Sequence, residues 1–365
     1  MPRDYINEYR DPRLIRAISE QILRETTRSV NIMEICGGHT HTIMKFGISQ
    51  LLPSEIKFIH GPGCPVCVMP KERIDQAIAL ANMQDAILVT LGDMIRVPGS
   101  ASSLQEARAN GADIRALYSP IDALKIALEN PQKIVIFFAI GFETTAPMTA
   151  VLIDKVINGG VKNLLFHINH VLVPPPVNAI MEDGSKIDAF LGPSHVSVIT
   201  GFDIFEPIAE RYRTPIVVSG FEPSDVLESV LRIVRQFNSD RCEVENQYSR
   251  AVSRHGNEKA KNLINKYMTE REKFRWRGLG DIPKSALKLR DEYAAIDAEV
   301  VYADRLNNEP IDDHKLCICA SILRGRALPT DCKVFGKGCN PKNPLGSCMV
   351  SSEGACAAYY RYARE

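Results

Sequence analysis

Short apolar runs rich in β-branched residues alternate, over the first two thirds of the chain, with segments whose apolar residues recur at helical spacing. The runs predict strands at 30–35, 56–59, 86–91, 113–117, 134–140, 163–168, 196–200 and 215–219. The intervening segments predict helices, among them 42–51, 71–83, 104–109, 121–128 and 148–157. This alternation is typical of parallel β-sheets covered by helices and predicts an α/β fold.

The alternation begins a second round at 134–140, and three predicted strand ends share a glycine, a phenylalanine and an acid. We interpret these as strand-to-helix turns, in which glycine permits the bend and the acid lies near a helix N-terminus. They are Gly141-Phe142-Glu143, Gly201-Phe202-Asp203 and Gly220-Phe221-Glu222. We therefore expect two similar parallel-sheet α/β domains, 29–132 and 133–240, with ligands at the carboxyl ends of their strands.

The two ends of the chain depart from this pattern. Asp11-Pro12, followed by apolar residues at helical spacing, predicts an amphipathic helix within 1–28, which we expect to pack with the C-terminal domain. The strand alternation stops near Cys242, and 257–273 is charged and helical in pattern. We expect a separate, mainly helical domain at 241–365.

Composition narrows the class of partner. The chain has 365 residues, with 44 Lys+Arg against 44 Asp+Glu, so no excess charge favours nucleic acid or an acidic membrane. The N-terminus lacks the apolar stretch of a signal peptide, and the run 134–140 is too short to span a bilayer. We expect a cytoplasmic protein that binds a small molecule or another protein.

Nine of the ten cysteines fall into two groups, and this grouping is the most informative feature of the composition. Cytosolic reductants keep thiols from forming structural disulfides, so metal ligation or catalysis is favoured. Three cysteines lie between Cys36 and Cys67, Cys242 is isolated, and six lie between Cys317 and Cys356. The sequence thus predicts one thiol centre near each end of the chain.

The C-terminal group has the composition of an iron–sulfur site. Cys317, Cys332, Cys339 and Cys356 are separated by 14, 6 and 16 residues, and four thiolates suit a [4Fe-4S] cluster. Two further thiols, Cys319 and Cys348, lie among them. Zinc also accepts four thiolates, but the paired short knuckles of structural zinc sites are absent; buried free thiols are the third interpretation.

The N-terminal group combines thiols with imidazoles. Cys64-Pro65-Val66-Cys67 has the spacing of a dithiol/disulfide pair, and we expect a helix beginning near Pro70 to lower a thiol pKa. Half of a zinc site is the alternative. Cys36, followed by Gly37-Gly38, could approach a ligand closely, and His39 and His41 could bind metal or orient a thiolate. A buried cysteine at a strand end is the plainer interpretation of Cys36.

Five blocks, in this order and across nearly the whole chain, resemble the HypD family of hydrogenase maturation factors. They are Cys36-Gly37-Gly38-His39-Thr40-His41, Gly61-Pro62-Gly63-Cys64-Pro65-Val66-Cys67, Gly141-Phe142-Glu143-Thr144-Thr145-Ala146-Pro147, Pro193-Ser194-His195-Val196-Ser197 and Cys348-Met349-Val350-Ser351-Ser352-Glu353-Gly354-Ala355-Cys356. The resemblance implies a scaffold on which the iron centre of [NiFe]-hydrogenases is assembled. Its expected partners are a HypC-type small chaperone, which shares the iron, and a HypE-type cyanide donor.

The resemblance also implies roles for individual residues. Cys36 would bind an iron that transiently carries cyanide and carbon monoxide, and Cys64 and Cys67 would be the redox pair. The [4Fe-4S] cluster would lie on Cys317, Cys332, Cys339 and Cys356, with Cys319 an alternative first ligand because no glycine follows Cys319. The remaining candidates for orienting ligands or carrying protons, which could equally be helix caps, are His41, Asp93, Thr144, His195 and Glu353.

Two rival classes are weighed against the scaffold. A cluster-dependent disulfide reductase would need Cys64 and Cys67 but not Cys36. A radical enzyme that uses S-adenosylmethionine fits poorly because no CxxxCxxC run is present. Nucleotide binding is also disfavoured, since neither Gly-x-Gly-x-x-Gly nor a P-loop lysine motif occurs.

Overall fold

Two parallel β-sheets form the frame of the computed structural model, which describes residues 7–363; the first six residues of the predicted unit 1–28 lie outside it. The strands are β1 (Val30–Glu34), β2 (Ile56–His60), β3 (Ala86–Leu91), β4 (Asp113–Leu117), β5 (Ile134–Gly141), β6 (Leu164–His170), β7 (Ala189–Pro193), β8 (Ile216–Ser219), β9 (Val244–Asn246), β10 (Met268–Glu270), β11 (Lys273–Trp276), β12 (Gly280–Pro283) and β13 (Leu287–Leu289). Sheet A has the order β2-β1-β7-β8-β9 and sheet B the order β4-β3-β5-β6. Every pairing within these two sheets is parallel, which confirms the predicted α/β class.

Helices connect the strands and cover the sheets. They are α1 (Pro12–Glu25), α2 (Gly37–Lys45), α3 (Pro65–Val68), α4 (Lys71–Ala81), α5 (Leu104–Ala109), α6 (Asp122–Glu129), α7 (Ala146–Asn158), α8 (Pro174–Glu182), α9 (Ser194–Thr200), α10 (Glu206–Tyr212), α11 (Pro223–Asn238), α12 (Glu258–Tyr267), α13 (Ala298–Val301), α14 (Cys319–Leu323) and α15 (Ala355–Tyr362). Strands β5, β6 and β7 are buried along almost their whole length, as expected of strands covered on both faces. No helix within residues 7–363 is both long and apolar enough to cross a membrane.

The chain crosses between the two sheets twice. Sheet A combines β1 and β2 with β7, β8 and β9, whereas sheet B combines β3 and β4 with β5 and β6. Each sheet therefore takes strands from both predicted units, 29–132 and 133–240. The predicted boundary at residue 132 does not separate one sheet from the other.

One predicted strand is wrong. Residues 196–200 belong to helix α9, and the strand that pairs with β1 and β8 is β7, immediately before it. The β-branched residues of 196–200 suggested a strand. Whether a segment forms a strand depends on pairing with its neighbours, and here β1 and β8 both pair with β7. Gly201-Phe202-Asp203 consequently follows a helix, with Gly201 at φ 92°, whereas Gly141 ends β5 and Gly220 follows β8.

The C-terminal region is less helical than expected. It contains the antiparallel pairs β10–β13 and β11–β12 beside short helices, and the predicted helix 257–273 ends at Tyr267. A mainly helical domain is therefore not confirmed. Helix α1 packs through Ile15, Ile18 and Ile22 against α11, a partner in the predicted unit 133–240 rather than in 241–365.

Candidate functional site

The carboxyl ends of four neighbouring strands of sheet A meet at Cys36. Cys36 follows β1, and the Gly61–Cys64 turn, which follows β2, packs directly against it. His195 follows β7 and Phe221 follows β8, so both also lie at this edge. Parallel sheets present ligands at this edge, where loops from adjacent strands converge. The carboxyl edge of sheet A thus brings together Cys36, the CPVC segment and His195.

Cys36 and His195 form the centre of the site. The Cys36 Sγ lies 3.6 Å from Nδ1 and 3.9 Å from Nε2 of His195. The cysteine is 1% exposed, and burial, with the nearby carboxylate of Glu353, raises the pKa of its thiol well above the ordinary value. Burial also lowers the pKa of His195 to about 4. At neutral pH the pair is therefore a thiol beside a neutral imidazole, whose unprotonated nitrogen can accept a hydrogen bond from the thiol.

Glycines allow the surrounding backbone to close around Cys36. A Cβ on Gly63 would lie 2.3 Å from the Cys36 nitrogen, and a Cβ on Gly37 would lie 2.4 Å from Cβ of Glu353. Gly38 approaches the Phe221 ring, to which a Cβ would come within 2.8 Å. Because each approach excludes a side chain, the glycines around the cysteine are required by packing.

The two histidines after Cys36 occupy different environments. His39 is fully buried, and its Nε2 lies 3.1 Å from both the Ser219 and the Gly220 carbonyl oxygens, so Nε2 carries the proton. Its Nδ1 is buried without a hydrogen-bond partner, and burial lowers the pKa of the ring to about 4. His41 instead packs edge-on against Tyr362 of α15, with ring centroids 5.2 Å apart. His39 thus offers a free lone pair at the site, whereas His41 faces the C-terminal helix.

Glu34 was not among the predicted site residues, yet it lies directly beneath Cys36. It is 0% exposed, and its Oε2 accepts the Cys36 backbone N–H at 3.2 Å. Its Oε1 accepts hydrogen bonds from Thr40 and from His60 Nδ1. Burial raises the pKa of this carboxyl, although its hydrogen bonds oppose the shift. The available signal was an acid at the end of a mainly apolar strand, because a carboxyl group is costly to bury unless it is hydrogen-bonded.

A polar cleft extends from this site along the carboxyl edge of sheet B. Asp93, Arg115 and Thr145 line it from that sheet, and Pro65 and Glu353 line it from the Cys36 side. Asp93 accepts a hydrogen bond from the Ser351 hydroxyl at 3.2 Å. The predicted Asp93 and Glu353 therefore share one cleft.

Thr144 is not among the residues that line this cleft. Within the 141–147 block, the threonine that lines the cleft is Thr145. The Thr145 hydroxyl bonds the Phe142 carbonyl oxygen at 3.1 Å and lies 3.4 Å from His170 Nδ1. Thr145 thus faces the cleft, and the role predicted for Thr144 stays a prediction.

The CPVC segment forms helix α3, with Cys64 as its N-cap. The Cys67 N–H donates to the Cys64 Sγ at 3.2 Å, and the Ser347 hydroxyl donates to the Cys67 carbonyl oxygen at 2.7 Å. The Cys67 thiol also hydrogen-bonds to that of Cys348. Burial raises the pKa of Cys67 well above the ordinary value, so the expected lowering of a thiol pKa is not found there.

The C-terminal thiols gather around one small cavity with apolar walls. Five cysteines line it: Cys317, Cys319, Cys332, Cys339 and Cys356. Cys348 lies outside this lining, and its thiol hydrogen-bonds to those of Cys319 and Cys67, which lowers its pKa. A continuous series of thiol contacts therefore runs from the C-terminal cavity to the CPVC helix.

The donor set of this cavity fits a [4Fe-4S] cluster. Within residues 7–363, no three Cys, His, Asp or Glu side chains converge on a single metal ion. A cubane cluster has a different requirement, because each of its four thiolates binds a different iron and the sulfurs need not meet at one point. The cavity is lined by more cysteines than the four that a cluster requires, and no carboxylate in its lining competes with them.

The buried cysteine–imidazole pair, the CPVC helix and the C-terminal thiol cavity define a multi-thiol α/β protein. A family model named HypD and described as the "Hydrogenase formation hypA family" matches residues 13–363. The hydrogenase maturation factor HypD of Azotobacter vinelandii is 50% identical over 370 residues, which cover 99% of this chain and 97% of that protein. HypD of Escherichia coli K12 is 42% identical over 369 residues, 99% of this chain and 98% of that protein.

These full-length similarities place the protein in the class of hydrogenase maturation factors. The chain belongs to the HypD family.

Proposed function

We propose that the protein is the scaffold on which the Fe(CN)2CO unit of [NiFe]-hydrogenases is assembled. The iron is its cargo, held by Cys36 together with a HypC-type chaperone, and a HypE-type protein donates the cyanide. The observation that carries the proposal is the buried Cys36–His195 pair, with sulfur and Nδ1 3.6 Å apart, where four strand ends meet. A thiolate is a soft ligand that suits such an iron.

Proton transfer is the task of the residues around Cys36. Because the pKa of the thiol is raised by burial, iron must displace a proton that stays bound at neutral pH. Nδ1 of His195 is the nearest imidazole nitrogen to the sulfur and takes up that proton only in passing, because a ring with a pKa of about 4 releases it again at neutral pH. The unpartnered Nδ1 of His39 accepts a hydrogen bond from, or ligates, the incoming group.

We further propose that Cys317, Cys332, Cys339 and Cys356 hold a [4Fe-4S] cluster, which supplies one-electron chemistry when bound. Cys319 also lines the cavity, and its thiol contacts those of Cys317, Cys356 and Cys348; because Cys348 in turn contacts Cys67, we assign Cys319 to the link between the cavity and the CPVC helix. We therefore expect Cys317→Ser to lower the iron content of the anaerobically purified protein. Cys319→Ser should retain that iron, and the opposite result would exchange the two roles.

The CPVC pair is the proposed redox partner of this centre. Reduction of a Cys64–Cys67 disulfide breaks one S–S bond and consumes two electrons and two protons. We propose that the protein acts in the reducing cytoplasm, where this pair can cycle between dithiol and disulfide.

Infrared spectroscopy of the complex with a HypC-type chaperone tests the scaffold. The wild-type complex should show diatomic stretching bands, and Cys36→Ala should lose them. Cys242→Ala is the matched control, because Cys242 is isolated from both thiol centres in sequence and should leave the bands intact. Bands that persist in Cys36→Ala would refute Cys36 as the iron ligand.

A second function, an iron–sulfur-dependent thiol oxidoreductase, is favoured by one observation. The Cys67–Cys348–Cys319 contacts join the CPVC pair to the C-terminal cavity. This function needs Cys64 and Cys67 but not Cys36. Reduction of a protein disulfide that is lost in Cys67→Ser and kept in Cys36→Ala, without infrared bands in the wild type, would select it.

A further inference from the structure

A buried series of hydrogen bonds joins the C-terminal helix α15 to the Cys36 turn. The Tyr359 hydroxyl lies 3.2 Å from His60 Nε2, and His60 Nδ1 lies 2.7 Å from Glu34 Oε1. The other carboxylate oxygen of Glu34 accepts the Cys36 backbone N–H at 3.2 Å. Three side chains from β1, β2 and α15 thus connect the helix to the backbone of the site cysteine.

Each bond in the series has a defined direction. The Glu34 carboxylate can only accept, so His60 must carry its proton on Nδ1 and present a lone pair at Nε2. Tyr359 must then donate its O–H to that lone pair. Thr40 also donates to Glu34, which fixes the first turn of α2 to the same carboxylate.

The sheet alone does not require these polar groups. Glu34 and His60 are direct partners in the parallel register of β1 and β2, where the other paired residues are largely apolar. Glu34 is 0% and His60 is 3% exposed. Burying a carboxylate at such a position is unfavourable, and the hydrogen bonds from Cys36, Thr40 and His60 offset that cost.

The far end of the series lies on the helix that carries a C-terminal thiol. Tyr359 follows Cys356 by three residues on α15, so the two side chains occupy one face of the helix. Cys356 lines the five-thiol cavity. The same helix therefore touches the C-terminal thiol centre and, through Tyr359, the Cys36 turn.

We propose that Glu34, His60 and Tyr359 are positioning residues that fix the Cys36 turn to helix α15, so that the C-terminal thiol centre and Cys36 keep one mutual arrangement. The inference rests on the proposed function only in the assumption that Cys36 holds iron. The hydrogen-bonded arrangement itself concerns the protein without its cargo.

We call the hydrogen-bonded series Tyr359–His60–Glu34 the relay. Tyr359→Phe tests it because this substitution removes one hydroxyl and leaves the ring in place. We expect the amides of residues 36–40 to exchange with deuterium about 2- to 10-fold faster, the range for the loss of one hydrogen bond. Tyr360→Phe is the matched control: Tyr360 is on the same helix and is 47% exposed. It should leave the exchange unchanged. Equal rates in wild type and Tyr359→Phe would overturn the proposal.

A double-mutant cycle separates a relay from independent contacts. In His60→Asn the amide N–H can replace Nδ1–H toward Glu34, but the shorter side chain cannot reach Tyr359. This variant should match Tyr359→Phe, and the double variant should add less than 2-fold to either single change. Multiplicative effects of the two substitutions would show that Tyr359 acts by local packing and would overturn the relay.

Infrared spectroscopy tests whether the relay affects the iron bound at Cys36. In the iron-loaded complex, Tyr359→Phe should shift or broaden the diatomic bands at unchanged iron content, whereas Tyr360→Phe should not. Identical bands in Tyr359→Phe and wild type would overturn positioning of Cys36 toward the metal. A wild type without bands would instead refute the proposed function, and the exchange data would still decide the relay.

Discussion

His170 should make the protein sensitive to acid, and His170→Gln should remove part of that sensitivity. The histidine ends β6, is 1% exposed, and its Nε2 lies 2.8 Å from the Thr149 hydroxyl. Burial lowers its pKa from 6.5 to about 4. Below pH 6.5 this histidine is therefore protonated in the unfolded chain but still neutral in the folded protein. The free energy of unfolding consequently falls as the pH drops toward 4.

The size of the effect follows from the two pKa values. Between pH 7.5 and pH 5 a shift from 6.5 to about 4 removes about 2 kcal/mol from the free energy of unfolding. Glutamine can bond Thr149 but does not titrate. Between pH 7.5 and pH 5 the free energy of unfolding of His170→Gln should therefore fall by about 2 kcal/mol less than that of the wild type. Other buried histidines contribute equally to both proteins.

Urea unfolding at the two pH values, followed by fluorescence of the single tryptophan Trp276, measures this difference. Ile168→Val on the same strand is the control, because losing a buried methyl group lowers stability by about 1 kcal/mol at either pH. It should leave the pH-dependent loss unchanged. A difference between His170→Gln and wild type below about 0.5 kcal/mol would refute the assignment of a buried neutral imidazole.

Two further substitutions test packing at and near the site. Gly63→Ala should lower the free energy of unfolding by about 1–3 kcal/mol in a urea titration, because its Cβ would meet the backbone of the neighbouring turn at 2.3 Å. Gly92→Ala, whose Cβ would meet nothing within 4 Å, should stay within about 0.5 kcal/mol of wild type. Glu299→Gln should cost about 3 kcal/mol, because it removes the shared counter-charge of the largely buried Arg73 and Arg271; a loss below about 1 kcal/mol would show that water compensates these guanidinium groups.

The strands that could be predicted from sequence are those with long apolar, β-branched runs. β3 and β5 were identified within one residue of their observed bounds, because a strand buried on both faces leaves a continuous apolar signal. β7 carries the sequence Ala-Phe-Leu-Gly-Pro, which has no β-branched residue, and it was missed. It is a strand because β1 and β8 pair with both of its sides, a tertiary effect that no local pattern reports.

The chemistry of the site was more predictable than its supporting structure. Cys36 and His195 were identified as candidates through short motifs, and the structure brings them together. Glu34 was missed because a single acid in an apolar strand does not reveal its partner. Thr144 was named from its motif whereas Thr145 lines the cleft, since a motif does not define how a turn orients two adjacent hydroxyls.

The order of the strands explains why segments so far apart in sequence meet at one cysteine. β1 lies between β2 and β7, so the loops after all three strands open at the same edge, and β8 adds Phe221 one strand further along. If sheet A had instead been built from consecutive strands, His195 would have followed a strand of a different sheet. The return of the chain to sheet A at β7, which places strands from both predicted units in one sheet, is therefore the feature that builds the site. At this edge the two thiols have different neighbours, because Cys36 lies beside His195 whereas Cys67 lies beside Cys348.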